Sequence, residues 1–262
     1  MISKLPWASP PWLRDLAGAW VFYSVLPGAR WPRPRFERIA RFAPWIGLVI
    51  GGLQALVWWM GAGRIPVAAQ VALVLALGLW LTGGLHMDGA MDTADGLGAG
   101  SRCLEAMEDS RVGAAGVQAI VLLLLLRAAA LFSLAALTPA AVTACLLGAP
   151  IWARIAPLLA MERFPYLRDQ EGGSAGFHRR HWRGLGRELR PTVVLLGFLA
   201  GLSLVGQGPW APWSGLIPAV MVPLWLGHRL GGHTGDSYGA CVEWTETWAL
   251  ALSAGLVVLT GP

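Results

Sequence analysis

Long apolar runs are the feature that most constrains the fold of this chain. Each is close to the roughly 20 residues that a helix needs to cross a bilayer, and their cores lie at 45–61, 66–85, 114–137, 139–160, 192–207, 214–230 and 246–260. A shorter apolar segment at 12–26 is interpreted as an interfacial helix or an additional span. The runs predict an all-α, polytopic integral membrane protein with about seven transmembrane helices, built as a single domain over residues 1–262.

The composition is also typical of a membrane protein. Hydrophobic residues make up 55% of the 262 residues and charged residues only 13%, whereas soluble domains average about 25% charged residues. The chain has 15 Trp and 34 Gly. Trp favours the membrane interface and Gly favours close packing of helices. The lipid bilayer is therefore the first partner that the sequence predicts.

The charged residues are concentrated in loops. The net charge is +5, but the basic residues lie in short loops between apolar runs, which argues against nucleic acid as a partner. With seven spans after residue 41, the charged loops at 29–41, 86–113, 161–191 and 229–245 all fall on one side. The positive-inside rule makes that side cytoplasmic. Some of these arginines remain candidates for binding phosphate groups.

The stretch "HMDGAMDTADG" places three carboxylates directly after an apolar run. Asp88, Asp92 and Asp95 have the spacing i, i+4 and i+7, which keeps them within about 60° on one face of a helix. Three like charges on one stripe repel each other unless a divalent cation binds them, and clustered oxygen ligands suit Mg²⁺ or Mn²⁺. Because Mg²⁺ usually also binds substrate phosphates, the motif indicates an enzyme of phosphate or diphosphate chemistry. A solvated acidic loop is the alternative.

Several polar residues near the motif are further candidates. His86 is interpreted as a general base, a phosphate donor, a partner of an Asp or a purely structural residue. In "EAMEDSRVGAAG", Asp109 is a candidate for completing the metal site, and Arg111 for pairing with a phosphate or an Asp.

Two arginines interrupt apolar runs, Arg127 in "LLLLLRAAALF" and Arg154 in "APIWARIAPLL". Charged residues within membrane segments are costly and usually mark functional sites, so both are predicted to bind an anionic substrate. Snorkelling to the interface is the alternative for Arg154. The Gly-rich stretch at 231–246, which contains Asp236, is predicted to form a re-entrant or tight cytoplasmic turn.

Four stretches are similar to the motifs of one known family, in the same order and at similar spacing. They are "TGGLHMDGAMDTADG", "MEDSRVGAAG", "YLRDQEGGSAGF" and "LGGHTGDSYGACVEWTE". On these motifs the chain resembles the cobalamin synthase family, the adenosylcobinamide-GDP ribazoletransferases. The resemblance covers nearly the whole chain, and its first and last motifs together are highly specific.

The resemblance implies a reaction, a cofactor and a set of site residues. The GDP-activated phosphocobinamide would be transferred to the ribose 3′-hydroxyl of α-ribazole or its 5′-phosphate, with release of GMP, at catalytic loops facing the cytoplasm from the cell inner membrane. Mg²⁺ would be bound by Asp88, Asp92 and Asp95, with His86 as a further catalytic residue. Substrate contacts would come from Asp109, Arg111, Arg127, Arg154, Arg168, Glu171, Thr234 and Asp236.

Two other functions remain open at the level of sequence. One is a different Mg²⁺-dependent intramembrane transferase that uses a nucleotide-activated alcohol or a prenyl diphosphate. The other is a cation transporter whose carboxylates bind the transported ion. The sequence also leaves open the preferred lower base, a homo-oligomer, and association with other corrinoid-assembly enzymes.

Overall fold

The structure is a computed structural model that describes residues 9–28, 32–137, 139–168, 173–205 and 211–260. Within these ranges the chain forms α-helices and no β-strand, as the sequence predicts. The helices are α1 (Pro11–Tyr23), α2 (Ala43–Gly61), α3 (Val67–Leu81), α4 (Leu85–Gly98), α5 (Cys103–Ala106), α6 (Ala114–Leu137), α7 (Pro139–Arg163), α8 (Gly173–Arg180), α9 (Leu185–Glu188), α10 (Thr192–Val205), α11 (Leu216–Leu230) and α12 (Gly235–Thr260).

The membrane character of the chain is evident in its helices, although fewer spans are found than predicted. Among the described residues, three helices are long and apolar enough to cross a bilayer: 40–61, 114–136 and 141–163. A fourth span results if α3 and α4, which are bent by 89° at their junction, are counted together. The structure therefore supports a membrane protein and does not establish seven spans.

The length and the charge of the remaining helices explain why fewer membrane spans are found than the sequence predicts. Helices α1, α10 and α11 have 13, 14 and 15 residues, so they extend only about 20–23 Å at 1.5 Å per residue, whereas the hydrocarbon core is about 30 Å thick. Helix α12 is longer but contains three carboxylates. Large apolar side chains nevertheless face outward on several of the helices, as expected of a surface in contact with lipid; among them are Trp59, Trp80, Leu125, Val193 and Ile217.

The bend between α3 and α4 places the acidic motif at an angle to the preceding helix. Gly83 and Gly84 have φ angles of 61° and 74°, a left-handed conformation that glycine adopts without steric cost. These residues end α3 and allow α4 to start at once in a new direction. The predicted helical spacing of Asp88, Asp92 and Asp95 is confirmed, because all three lie within α4.

The predicted turn at 231–246 is mostly wrong. Only its first residues turn, with Gly231 at φ 77°, and α12 begins at Gly235 and continues to Thr260. The reason is a reciprocal helix cap. The Thr234 backbone N–H donates to Ser237 Oγ at 2.8 Å, and the Ser237 N–H donates to Thr234 Oγ1 at 3.2 Å. This cap satisfies amides that would otherwise lack partners at the start of the helix.

Helices α2 and α7 pack at backbone contact through two glycines four residues apart. A Cβ atom on Gly47 or Gly51 would collide with a carbonyl oxygen of α7, from Pro150 and Leu146 respectively. Small residues with this spacing let membrane helices approach closely. The neighbouring Gly52 faces open space, with no heavy atom within 4 Å of the position of its Cβ.

We expect Gly51→Ala to destabilise the protein by roughly 1–3 kcal/mol, because a methyl group at a backbone contact forces the helices apart. Gly52→Ala is the matched control and should be neutral or slightly stabilising, since Ala favours a helix over Gly. Thermal unfolding in detergent measures both. Equal effects of the two substitutions would contradict a packing role specific to Gly51.

Candidate active site

The acidic motif of α4 meets the beginning of α12 at a close crossing. A Cβ atom on Gly89 would lie 2.6 Å from the Asp236 carbonyl oxygen, and one on Gly239 would lie 3.0 Å from the His86 carbonyl oxygen. The two glycines therefore permit contact between the backbones of the helices. This crossing brings Asp236 beside the motif of α4, although 144 residues separate Asp236 from Asp92 in sequence.

Asp236 is held by groups from its own helix cap and from a distant loop. Arg168 Nη1 lies 3.1 Å from Asp236 Oδ2, and Thr234 Oγ1 donates to the same oxygen at 3.4 Å. Arg168 Nη2 is buried without a hydrogen-bond partner among the described residues. The side chain of Arg168 therefore holds Asp236 and retains a donor for another anion.

The carboxylates at the crossing suit a hard divalent cation that is shared with a substrate. Asp88, Asp236 and Asp95 are acidic neighbours of Asp92, and Arg168 is a cationic neighbour. In the described part of the chain, no three His, Cys, Asp or Glu side chains converge on one ion position. Since Mg²⁺ usually takes only one or two carboxylates and completes its shell with water and phosphate oxygens, the donors present fit such an ion.

Asp95 has a different environment from the other two acids of the motif. Its Oδ2 accepts a hydrogen bond from the Gly113 N–H at 2.7 Å, and its Oδ1 accepts one from the Gly116 N–H at 2.8 Å. Gly113 and Gly116 leave the room that this carboxylate occupies. Asp95 therefore caps the N-terminus of α6, where a negative charge is favourable, and its predicted role as a metal ligand gains no support from these contacts.

Asp109 and Arg111 pair with each other at the surface. Arg111 Nη2 lies 2.6 Å from Asp109 Oδ2, and the Arg111 side chain is 87% exposed. The hydrogen bonds from Arg111 lower the pKa of Asp109 to about 2. Among the described residues, no hydrogen bond or ion pair connects this pair to the acids at the crossing, so their role at the site remains a prediction. Glu171 lies outside the described residues.

A cavity of about 170 Å³ opens beside the crossing. The predicted site residues His86, Asp88, Arg154 and Asp236 line it, together with Tyr23 at the end of α1. His86 is 6% exposed, and its Nδ1 is buried without a hydrogen-bond partner in the described ranges. The structure thus brings together residues from four helices around one cavity.

Arg127 lies outside that cavity and has partners within the protein. Its Nη2 donates to Glu243 Oε2 at 2.7 Å and to the Glu243 carbonyl oxygen at 2.8 Å, and its Nε donates to Thr247 Oγ1 at 2.8 Å. The sequence reasoning that an Arg in an apolar helix must be compensated is confirmed, but the compensating anion is Glu243 of α12. Direct contact of Arg127 with a substrate is not what this geometry favours.

Arg154 joins this buried ion network to the cavity. Its Nη1 donates to the Pro150 carbonyl oxygen at 3.0 Å and lies 3.6 Å from Glu246 Oε2. Arg127 Nη1 is 3.8 Å from Glu246 Oε1. Arg154 is only 2% exposed, which excludes snorkelling in this arrangement. Its Nε is buried and has no hydrogen-bond partner in the described part of the structure.

Comparison with known proteins identifies the family. A family model described as cobalamin-5-phosphate synthase matches residues 15–254. The chain belongs to this family. A relative named adenosylcobinamide-GDP ribazoletransferase from Prochlorococcus marinus (strain MIT 9303) is 54% identical, over 95% of this chain and 98% of the relative. A protein of the same name from Thermosynechococcus vestitus is 43% identical, over 90% and 94% of the two chains. No solved structure gives a significant match.

The match to the cobalamin-5-phosphate synthase family begins at Asp15, a residue that sequence reasoning missed. Asp15 is fully buried in α1. Its carboxylate accepts hydrogen bonds from Arg35, at 2.5 and 2.8 Å, and from Arg41. These contacts fix α1, and with it Tyr23, beside the cavity. An acid within the apolar segment 12–26, shortly before the arginine-rich loop 29–41, was the available signal.

We expect Arg127→Leu to destabilise the protein by about 3–5 kcal/mol, because it leaves Glu243 buried without its main cation. The double variant Arg127→Leu with Glu243→Leu should recover much of that loss, since it removes both charges. Unfolding in detergent measures each variant. Arg111→Leu is the control, because the exposed pair that it breaks contributes little. If the Arg127→Leu variant is as stable as the control, the Arg127–Glu243 pair does not stabilise the protein as expected.

Proposed function

We propose that this protein completes the nucleotide loop of cobalamin by transferring a GDP-activated cobinamide phosphate to α-ribazole or α-ribazole 5′-phosphate. The observation that carries the proposal is the family match over residues 15–254. The relatives with high identity are named for this transfer. The cavity beside the crossing of α4 and α12 supplies acidic and basic groups that suit a diphosphate substrate.

The reaction exchanges one phosphoester bond for another. The ribose 3′-hydroxyl attacks the phosphorus nearest the corrinoid, a P–O bond to the ribose forms, and the P–O bond to GMP breaks. The hydroxyl proton passes to an acceptor at the site, for which Asp88 and His86 are the candidates because both line the cavity. Such transfers depend mainly on alignment of the reactants and on stabilisation of charge on the phosphoryl oxygens.

The residues at the crossing of α4 and α12 and around the cavity divide these tasks. One or two of the carboxylates of Asp88, Asp92 and Asp236 would hold Mg²⁺, which when bound neutralises the diphosphate and the departing GMP. Arg168 positions Asp236 and offers its free Nη2 to a phosphoryl oxygen. Arg154 offers a second buried donor within the cavity.

We also propose that the chain crosses the cell inner membrane seven times, with the site facing the cytoplasm. Support comes from the seven apolar runs and from the restriction of charged loops to one side. The outward-facing apolar side chains agree with burial in lipid. Reporter fusions after each apolar run test this topology. A reporter fused within the 86–113 loop that is active on the outer side of the inner membrane would contradict it.

The reaction is tested directly with purified protein in detergent. The mixture contains GDP-cobinamide, α-ribazole 5′-phosphate and Mg²⁺, and chromatography separates the corrinoids. A new corrinoid with equimolar GMP is the expected result. No product with either ribazole, from folded protein, would favour another diphosphate-using transferase. Mn²⁺ or Mg²⁺ uptake into vesicles without GMP release would favour a transporter.

We expect Asp92→Asn to lower kcat at least about 100-fold, because the variant weakens cation binding where charge develops. EDTA should abolish turnover of the wild type, and added Mg²⁺ should restore it. Glu105→Gln is the control: Glu105 is exposed on α5 and is not among the charged neighbours of Asp92. Normal activity of Asp92→Asn, with EDTA still inhibiting, would place the ion elsewhere.

A further inference from the structure

The cavity extends past the acidic residues into an interior with a different character. Apart from Asp88 and Asp236 at its edge and Arg154 in its wall, the lining is mainly aromatic and apolar; it includes Phe22, Tyr23, Leu158, Met161, His178 and Val242. Leu158, Met161 and Val242 are almost completely buried. The cavity therefore has a charged entrance, where Asp88 is exposed, and a largely apolar interior.

The size of this interior restricts what can enter it. The whole cavity, entrance included, has a volume of about 170 Å³, and a cavity of about 150 Å³ with apolar walls accommodates benzene. A single aromatic ring system fits such a space. A corrin macrocycle is several times larger and does not fit.

The walls favour a flat ring. The rings of Tyr23 and His86 are nearly parallel, with an interplanar angle of 22° and centroids 6.0 Å apart. The ring of Phe22 meets the ring of His178 edge to face, with centroids 5.4 Å apart. Aromatic side chains that line a cavity contribute ring faces and edges against which another aromatic ring packs favourably.

Two residues of the cavity lining each have a buried polar atom without a partner, which indicates that the ring carries polar atoms. Arg154 Nε and His86 Nδ1 both lack a hydrogen-bond partner among the described residues. A buried polar group without a partner costs about 1–3 kcal/mol. A nitrogen-containing ring with an acceptor would satisfy the Arg154 donor, whereas a hydrocarbon ring would not.

From these observations we infer that the interior of the cavity binds the heteroaromatic base of the nucleoside substrate. This inference rests on the proposed function, and it assigns the base of the nucleoside, one of the two substrates, to the interior of the cavity. With the base inside, the ribose lies at the entrance beside Asp88 and Asp236. The diphosphate of the corrinoid substrate then approaches from the open side, and the macrocycle stays outside the cavity.

Ala175→Phe tests the assignment, because Ala175 is a half-buried residue of the cavity wall and a phenyl ring there would occupy the space. Ala129→Phe is the matched control on the exposed face of α6. Tyr23→Leu is a second variant that removes a flat wall without adding bulk. Equilibrium dialysis with labelled α-ribazole, with and without GDP-cobinamide in EDTA, measures binding when no turnover occurs.

We expect Ala175→Phe and Tyr23→Leu to weaken α-ribazole binding at least about tenfold, and to raise KM for α-ribazole while KM for GDP-cobinamide changes less than about twofold. The inference would be overturned if both variants bind α-ribazole as tightly as the wild type does. It would also be overturned if only the KM for GDP-cobinamide rises. A wild type that binds no α-ribazole under either condition would overturn it as well. Failure of the wild type to release GMP would instead refute the proposed function, while the dialysis would still decide where the nucleoside binds.

Discussion

The buried ion network between α6, α7 and α12 is the interaction on which the rest of the structure depends. Arg127 and Arg154 lie in helices that are otherwise apolar, and removal of such charges from water costs several kcal/mol per ion. Glu243 and Glu246 of α12 offset that cost through contacts of 2.7–3.8 Å. Because a buried charge without its partner is unfavourable, the network stabilises the register of α12 against α6 and α7 in which these contacts form.

That register determines the geometry of the site. Asp236 lies two turns before Glu243 on the same helix, so fixing Glu243 also fixes Asp236. Gly239, between them, then meets His86 and Gly89 of α4 at backbone contact. The acids of α4 therefore face Asp236 because a network deeper in the protein holds α12 in place. Arg154, which belongs to the network and also lines the cavity, joins the two regions.

The sequence predicted local features of the site better than its long-range contacts. The helical spacing of Asp88 and Asp92 follows from neighbouring residues and was confirmed, whereas the bend at Gly83 and Gly84, within the predicted 66–85 span, was not predicted. The partner of Arg127 is 116 residues away, and no periodicity connects the two. Asp95 looked equivalent to the other acids of its stripe, but the fold uses it to cap α6. The turn predicted around Asp236 was wrong because the Gly content concealed a Thr–Ser helix cap.

Charge balance distinguishes the two polar regions of the protein. In the buried network, two arginines face two glutamates, and the Arg127–Glu243 pair is buried and hydrogen-bonded within the protein. At the crossing, Asp88, Asp92 and Asp236 gather near Arg168, and Asp88 is open to solvent. A balanced and closed cluster stabilises a fold, whereas an unbalanced and open one is stabilised only by ions from outside. The excess negative charge thus lies where a cation and a diphosphate would neutralise each other and the acids together.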